Sequence, residues 1–204
     1  MHLGKIGSWL LAGVFLLAPM TLAAIEDPQQ LVRSTGDRVL AEVSARKSEL
    51  EANPQLIYPL VESTVLPHFD FRLMSQSALG RFWRDASEDQ RERIVQEFRE
   101  MLVRTYATAL LGYSGQQIEY LPMQPPGDAD RVMVPTRIAS SGAPPIPINY
   151  RLKRDASRWL VYDVVIDGVS LITNYRSQFT AEVRRGGIEG LIGSLAQKNR
   201  SVGQ

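Results

Sequence analysis

The sequence predicts an α+β fold, a twisted four-stranded antiparallel sheet covered by helices, and three observations carry that prediction. Apolar residues recur at helical spacing as far as Gly115. The period then changes to two between Ile118 and Ile166, and helical spacing returns after Gly168. Helices, then consecutive strands, then helices read as one α+β domain rather than alternating βαβ units. Composition agrees, because 204 residues with 44% hydrophobic and 22% charged suit a single globular domain.

Residues 1–23 read as a segment outside that domain. Lys5 precedes the apolar run Ile6 to Leu22, and small residues around Ala23 and Ala24 suit cleavage after Ala23. That is the pattern of a secretory signal peptide. A membrane anchor needs about 20 apolar residues, and this run is shorter and contains Pro19. The expected mature domain is therefore 24–204, and the expected compartment lies outside the cytoplasm.

Asp27-Pro28-Gln29-Gln30 starts the first helix, with Asp27 as cap, Pro28 at the first helical position and Gln30 completing a capping box. Val32, Thr35, Val39, Val43 and Leu50 mark its apolar face. A second helix runs through Leu56, Ile57, Leu60, Val61, Thr64 and Val65, kept short by Pro59 and Pro67. Asp70 caps a brief third helix that Gly80 ends. Ser87-Glu88-Asp89-Gln90 is another capping box, and the helix behind it carries an apolar face from Ile94 to Tyr113.

Four strands follow. Ile118 and Tyr120, then Val132, Val134, Thr136 and Ile138, then Ile146, Ile148, Tyr150 and Leu152 alternate as half-buried strands do. Trp159 to Ile166 is nearly continuously apolar, so both its faces are covered. Turn residues at Pro125–Asp128, Ser140–Gly142 and Lys153–Ser157 link them as a meander. After Gly168, Val169, Ile172, Tyr175, Phe179 and Val183 mark a helix stopped by Gly186-Gly187. A last helix carries Ile188, Leu191, Ile192 and Leu195.

Much chemistry is excluded by what is missing. Cysteine is absent, which removes disulfides, thiol catalysis and thiolate metal sites. Cleavage would leave His68 as the one imidazole, too few for a histidine metal centre. Lys+Arg 23 against Asp+Glu 22 offers no basic field for nucleic acid. Asp163 and Asp167, read on one face of the last strand, form a carboxylate pair that acid/base chemistry could use. Asp167 beside Gly168 reads equally well as a turn residue.

The remaining feature is apolar surface beyond what a four-stranded sheet needs for closure. It fits an ordinary solid core and fits equally a pocket between the sheet and its helices. Helical period and strand parity assign the walls of such a pocket to Phe98, Leu102 and Tyr106, to Val134, Ile148, Tyr150, Leu152 and Val164, and to Val169 and Ile172. Arg151 and Arg176 flank those positions and are weak candidates for contact with a phosphate or carboxylate on a bound ligand. No catalytic or metal-binding residue is assigned. The enzymatic alternative, acting on a small hydrophobic ligand, would use Asp163 or Tyr150.

Several segments carry a resemblance. They are Leu66-Pro67-His68-Phe69-Asp70-Phe71, Ala78-Leu79-Gly80-Arg81-Phe82-Trp83-Arg84, Thr105-Tyr106-Ala107, Val134-Pro135-Thr136, Tyr150-Arg151-Leu152, Trp159 to Val164, Ile166 to Leu171 and Asn174 to Phe179. In this order, over about residues 27 to 198, they resemble the MlaC family of periplasmic phospholipid carriers, also described as toluene-tolerance auxiliary proteins. The resemblance implies a sheet and helices enclosing an acyl-chain cavity. It also implies phospholipid as cargo, no cofactor, and a monomer working in the Gram-negative periplasm. The implied partners are an inner-membrane ABC transporter complex with MCE domains and an outer-membrane lipoprotein–porin complex, the three together maintaining outer-membrane lipid asymmetry.

Overall fold

The computed structural model describes residues 27–123, 127, 129–140, 142–156 and 158–201. The expected signal segment lies outside them, as do parts of the expected turns at 125–128, 140–142 and 153–157. Helix α1 (Pro28–Ala45) is followed by the short α2 (Lys47–Ala52), α3 (Ile57–Thr64) and α4 (Phe71–Leu79). The long α5 (Glu88–Tyr106) then leads into strands β1 (Gln117–Tyr120), β2 (Arg131–Ser140), β3 (Ala143–Asp155), β4 (Arg158–Ile166) and β5 (Val169–Ser170), and α6 (Leu171–Ser201) closes the chain. The sheet runs β1-β2-β3-β4-β5 with antiparallel neighbours throughout. The α+β class and the meander are as expected. The fifth strand is a two-residue addition at the β4 edge.

Local chemistry explains the boundaries. The Asp27 carboxylate accepts from the amides of Gln29 and Gln30, so it caps α1 alone, without the reciprocal box. Ser87 and Gln90 do form the reciprocal box that starts α5. Asp70 caps α4 through the Leu73 amide, and its own amide donates to the Val161 carbonyl at 2.9 Å, which stitches the helical layer to β4.

Three expectations need correction. The apolar run of α5 does not stay α-helical to Tyr113, because after Tyr106 the chain tightens into a 3₁₀ segment, Ala107–Gly112. Asp167 is not on a strand. It sits in the β4–β5 turn with φ 49° and Gly168 at φ 81°, so it forms no carboxylate pair with Asp163. Val169 belongs to β5 and α6 begins two residues later, which turns Val169 outward.

The two C-terminal helices are one element broken at Gly187, whose φ 67° and ψ −174° lie in a region open essentially to glycine. An added Cβ at Gly187 would meet nothing within 4 Å, so backbone strain alone resists substitution. Gly187→Ala is expected to lower stability by about 1–3 kcal/mol. Gly190→Ala, in the helix and equally unobstructed, should raise it by roughly 0.5–1 kcal/mol. Urea denaturation of both variants checks the pair, and equal effects would remove the strain argument.

The core is divided. One cluster fills the space among α4, α5 and α6, where Phe98 meets Tyr175 and Phe179 edge-on at 5.1 and 5.0 Å. A second packs α1, α2 and α3 against the end of α5. A third, with Leu31, Val32, Val134, Leu152 and Trp159, fills one end of the space between α1 and the sheet. The other end of that space is not filled.

Candidate functional site

Between the sheet and α1, α3, α4 and the end of α5 lies a cavity of about 530 Å³. Its floor is a single face of the sheet. Ile118 and Tyr120 from β1, Ile138 from β2, Ile148 and Tyr150 from β3, and Val164 and Ile166 from β4 point into it, and their cross-strand partners match. A bulge in β4 extends this face. Arg151 pairs with Asp163 and Leu152 with Val161, so Tyr162 is an extra residue. It resets the alternation, and Val161 joins Val164 on the cavity side.

The roof comes from helices. Leu31, Thr35 and Val39 of α1 face it, with Val61 of α3, Met74 of α4, and Leu102, Val103 and Tyr106 of α5. Helix α1 can lie close to β1 because residue 36 is glycine, where a Cβ would stand 2.8 Å from the Tyr120 hydroxyl. At the rim are Ile146, 49% exposed, Tyr106, 36% exposed, and the 3₁₀ segment Ala107–Gly112. No Asp, Glu, Lys or Arg belongs to the wall among the described residues. Its polar groups are hydroxyls, the Gln116 amide and His68.

Desolvation raises the Tyr150 phenol above the ordinary tyrosine value. Burial and then the Asp37 carboxylate do the same to Tyr120. For Tyr175, outside the wall, burial and the neighbouring Tyr106 hydroxyl act together. These phenols stay neutral across the physiological range.

Of the wall residues expected from the sequence, Leu102, Tyr106, Ile148, Tyr150 and Val164 lie on the cavity. Phe98 and Ile172 do not, because they are buried in the α4–α5–α6 cluster on another side of α5. Val134 and Leu152 have the expected parity but sit in the filled end, both 0% exposed. Val169 is 59% exposed on β5, and Leu171 faces the cavity in its place. Arg151 donates to Asp163 at 3.0 Å and Arg176 to the Ser77 carbonyl at 2.8 Å, and neither belongs to the wall.

Asp163 is 2% exposed and fully engaged. Its Oδ2 accepts from Arg151 and from the Ser170 hydroxyl, its Oδ1 from the Ile172 amide, so the carboxylate fastens β4 to the start of α6. Sequence reasoning missed the α1 face, the Ala107–Gly112 rim, Ile138 and Ile146. For the last two the signal existed, since they share parity with Val134 and Ile148.

The MlaC protein family profile matches residues 33–197. The chain belongs to the MlaC family. Its MlaC relatives include the "Intermembrane phospholipid transport system binding protein MlaC" of Haemophilus influenzae, 25% identical over 204 residues that cover 97% of this chain and 95% of that protein. Another is the "Toluene tolerance protein ttg2D" of Pseudomonas putida, 25% identical over 191 residues, covering 90% of this chain and 88% of that one. Among solved structures, the phospholipid-binding protein of Ralstonia solanacearum, determined in complex with a phospholipid, superposes with a TM-score of 0.81 at 32% identity. It covers 88% of this chain and 100% of its own. The MlaC assignment carries the fold expected from the sequence. Among the described residues, no helix is long and apolar enough to cross a membrane, and no group of three or more His, Cys, Asp or Glu could hold a metal ion.

Proposed function

We propose that this protein is a periplasmic carrier that takes up glycerophospholipid tails in the cavity and shuttles the lipid between outer- and inner-membrane complexes. The observation that carries the reading is the cavity itself: predominantly apolar, open at its rim and without Asp, Glu, Lys or Arg among the described residues. Its size lies within the range of small-molecule sites, roughly 300–1,000 Å³. The Ralstonia phospholipid complex and the intermembrane transport name of the Haemophilus relative support the same cargo class.

The physics suits the task. Two acyl chains hold roughly 30 methylenes, whose exposure to water costs on the order of 24 kcal/mol at about 0.8 each. A carrier crossing an aqueous space therefore encloses the tails and leaves the phosphate at the rim, where water satisfies it. Leu102, Tyr106, Ile148, Tyr150 and Val164 are assigned as tail contacts. No catalytic step is needed, and spontaneous release faces the same exposure cost, so release falls to a docking partner. The partners assigned are a lipoprotein–porin complex at the outer membrane and an MCE-domain ABC transporter at the inner one. Residues 1–23 act as the export signal and 24–204 as the single carrier domain, working as a monomer.

The test is solvent extraction of natively purified protein followed by mass spectrometry, coupled to lipid transfer between donor and acceptor vesicles. Co-purified phospholipid and accelerated transfer are the expected results. Protein that neither carries lipid nor accelerates transfer would overturn the reading.

A further inference from the structure

We propose that the filled end of the space between α1 and the sheet is a stop that limits the acyl-chain length the protein accepts, with Leu31 and Val32 as its face. The inference rests on the carrier reading and adds a chain-length specificity to it.

Strand register puts the rim and the stop at opposite ends of the same ladder. Ile138 pairs with Ile146 at the rim, and further along the same face Val132 pairs with Leu152. From Ile146 to Leu152 the strand advances about 20 Å, at ~3.4 Å per residue. On β3 the cavity wall ends at Tyr150. The space beside and beyond it is taken by Val134, Leu152 and Trp159, none more than 2% exposed. Leu31 and Val32 belong both to the wall and to this cluster, so the boundary of the cavity runs along their side chains.

The stop is fastened in place. Gln29 Nε2 donates to the Leu121 carbonyl at 2.7 Å, and the Leu121 amide donates to the Pro135 carbonyl at 3.0 Å. Those bonds tie the start of α1, where Leu31 and Val32 lie, to the sheet. The Arg154 guanidinium sits 4.9 Å from the Trp159 ring centroid and donates to the Gly127 carbonyl at 3.0 Å. Close-packed side chains held in this way yield little volume to a tail pressing on them. Methylenes that fit short of the stop leave water on binding as they do in a bilayer, so vesicle and carrier compete evenly for them. Each methylene in excess stays in water at the rim and lowers loading about fourfold. Loading is therefore level with chain length up to a break and then falls, and the break marks the stop.

The experiment equilibrates lipid-stripped protein with vesicles holding equimolar saturated phosphatidylcholines of stepped chain length. The bound-to-vesicle ratio of each is read by mass spectrometry on whatever load a variant carries, so a loss of stability alone does not move the break. Wild type should show the break. Leu31→Ala, which opens space contiguous with the cavity, should move it to chains about two methylenes longer, and the milder Leu31→Val by about one. Val32→Leu should move it about one methylene the other way. Leu195→Ala, an equal truncation in the α4–α5–α6 cluster and outside the wall, should leave it in place. A wild-type profile without a break, a break unmoved by all three stop variants, or the same shift in Leu195→Ala would overturn the stop and leave the carrier reading intact. Uptake of no chain length by wild type would overturn both.

Discussion

Ile148→Asp is expected to abolish lipid retention in a protein that still folds. Ile148 is half-buried on β3 and points into the cavity. In the lipid-free protein a carboxylate there is hydrated by water in the cavity. Acyl chains would displace that water and leave a charge in an apolar enclosure, a cost of several kcal/mol borne by the bound state alone. Each 1.4 kcal/mol is tenfold in affinity, so lipid load should fall by about a hundredfold or more. Val134→Asp makes an informative contrast. Val134 faces the same side of the sheet but is 0% exposed against the α1 contacts of the filled end, so the same substitution there should unfold the protein instead. Circular dichroism melting and extracted-lipid quantification separate the two results. A folded Ile148→Asp protein with a full load would mean that the tails lie elsewhere.

Asp163→Ala should be the most destabilising single truncation of a polar side chain near the sheet. It removes the partner of Arg151 and leaves the Ile172 amide and the Ser170 hydroxyl without their acceptor. A charge-assisted bond plus a stranded buried donor sum to about 2–4 kcal/mol. Arg151→Ala should cost less, because the arginine side chain is 43% exposed and Asp163 would keep two of its three donors. Chemical denaturation of both single variants and the double variant would measure the coupling. A neutral Asp163→Ala would mean that Asp163 does not fasten α6 to the sheet.

How much of this was legible in the sequence divides along a physical line. Period fixes which face a residue occupies, and that part was readable: Ile148, Tyr150 and Val164 do share a face, as do Leu102 and Tyr106. Period does not say how deep a residue lies along that face. Val134 and Leu152 have the right parity, yet side chains from α1 and Trp159 fill the space above them. Nor does it say which of two neighbours a broad apolar helix face will meet, and Phe98 meets Tyr175 and Phe179 rather than the cavity. Val169 misled because a two-residue edge strand is too short to show an alternation. The Gly36 contact with Tyr120 joins residues far apart in the chain, which no local pattern can reveal.

The extra residue at Tyr162 acts on strand β4 as an inserted base acts on a reading frame. Upstream of it, odd-numbered Val161 is read toward the cavity; downstream, even-numbered Val164 and Ile166 are, and odd-numbered Asp163 is released to bind α6. Replacing Tyr162 alters one residue, whereas deleting it would set Asp163 directly after Val161 on opposite faces and let the pairs Leu152–Val161 and Arg151–Asp163 run on as a regular ladder. The carboxylate that fastens α6 and the valines that line the cavity would keep their faces, so what the extra residue supplies is a local bend of β4 between the cavity floor and the α6 anchor.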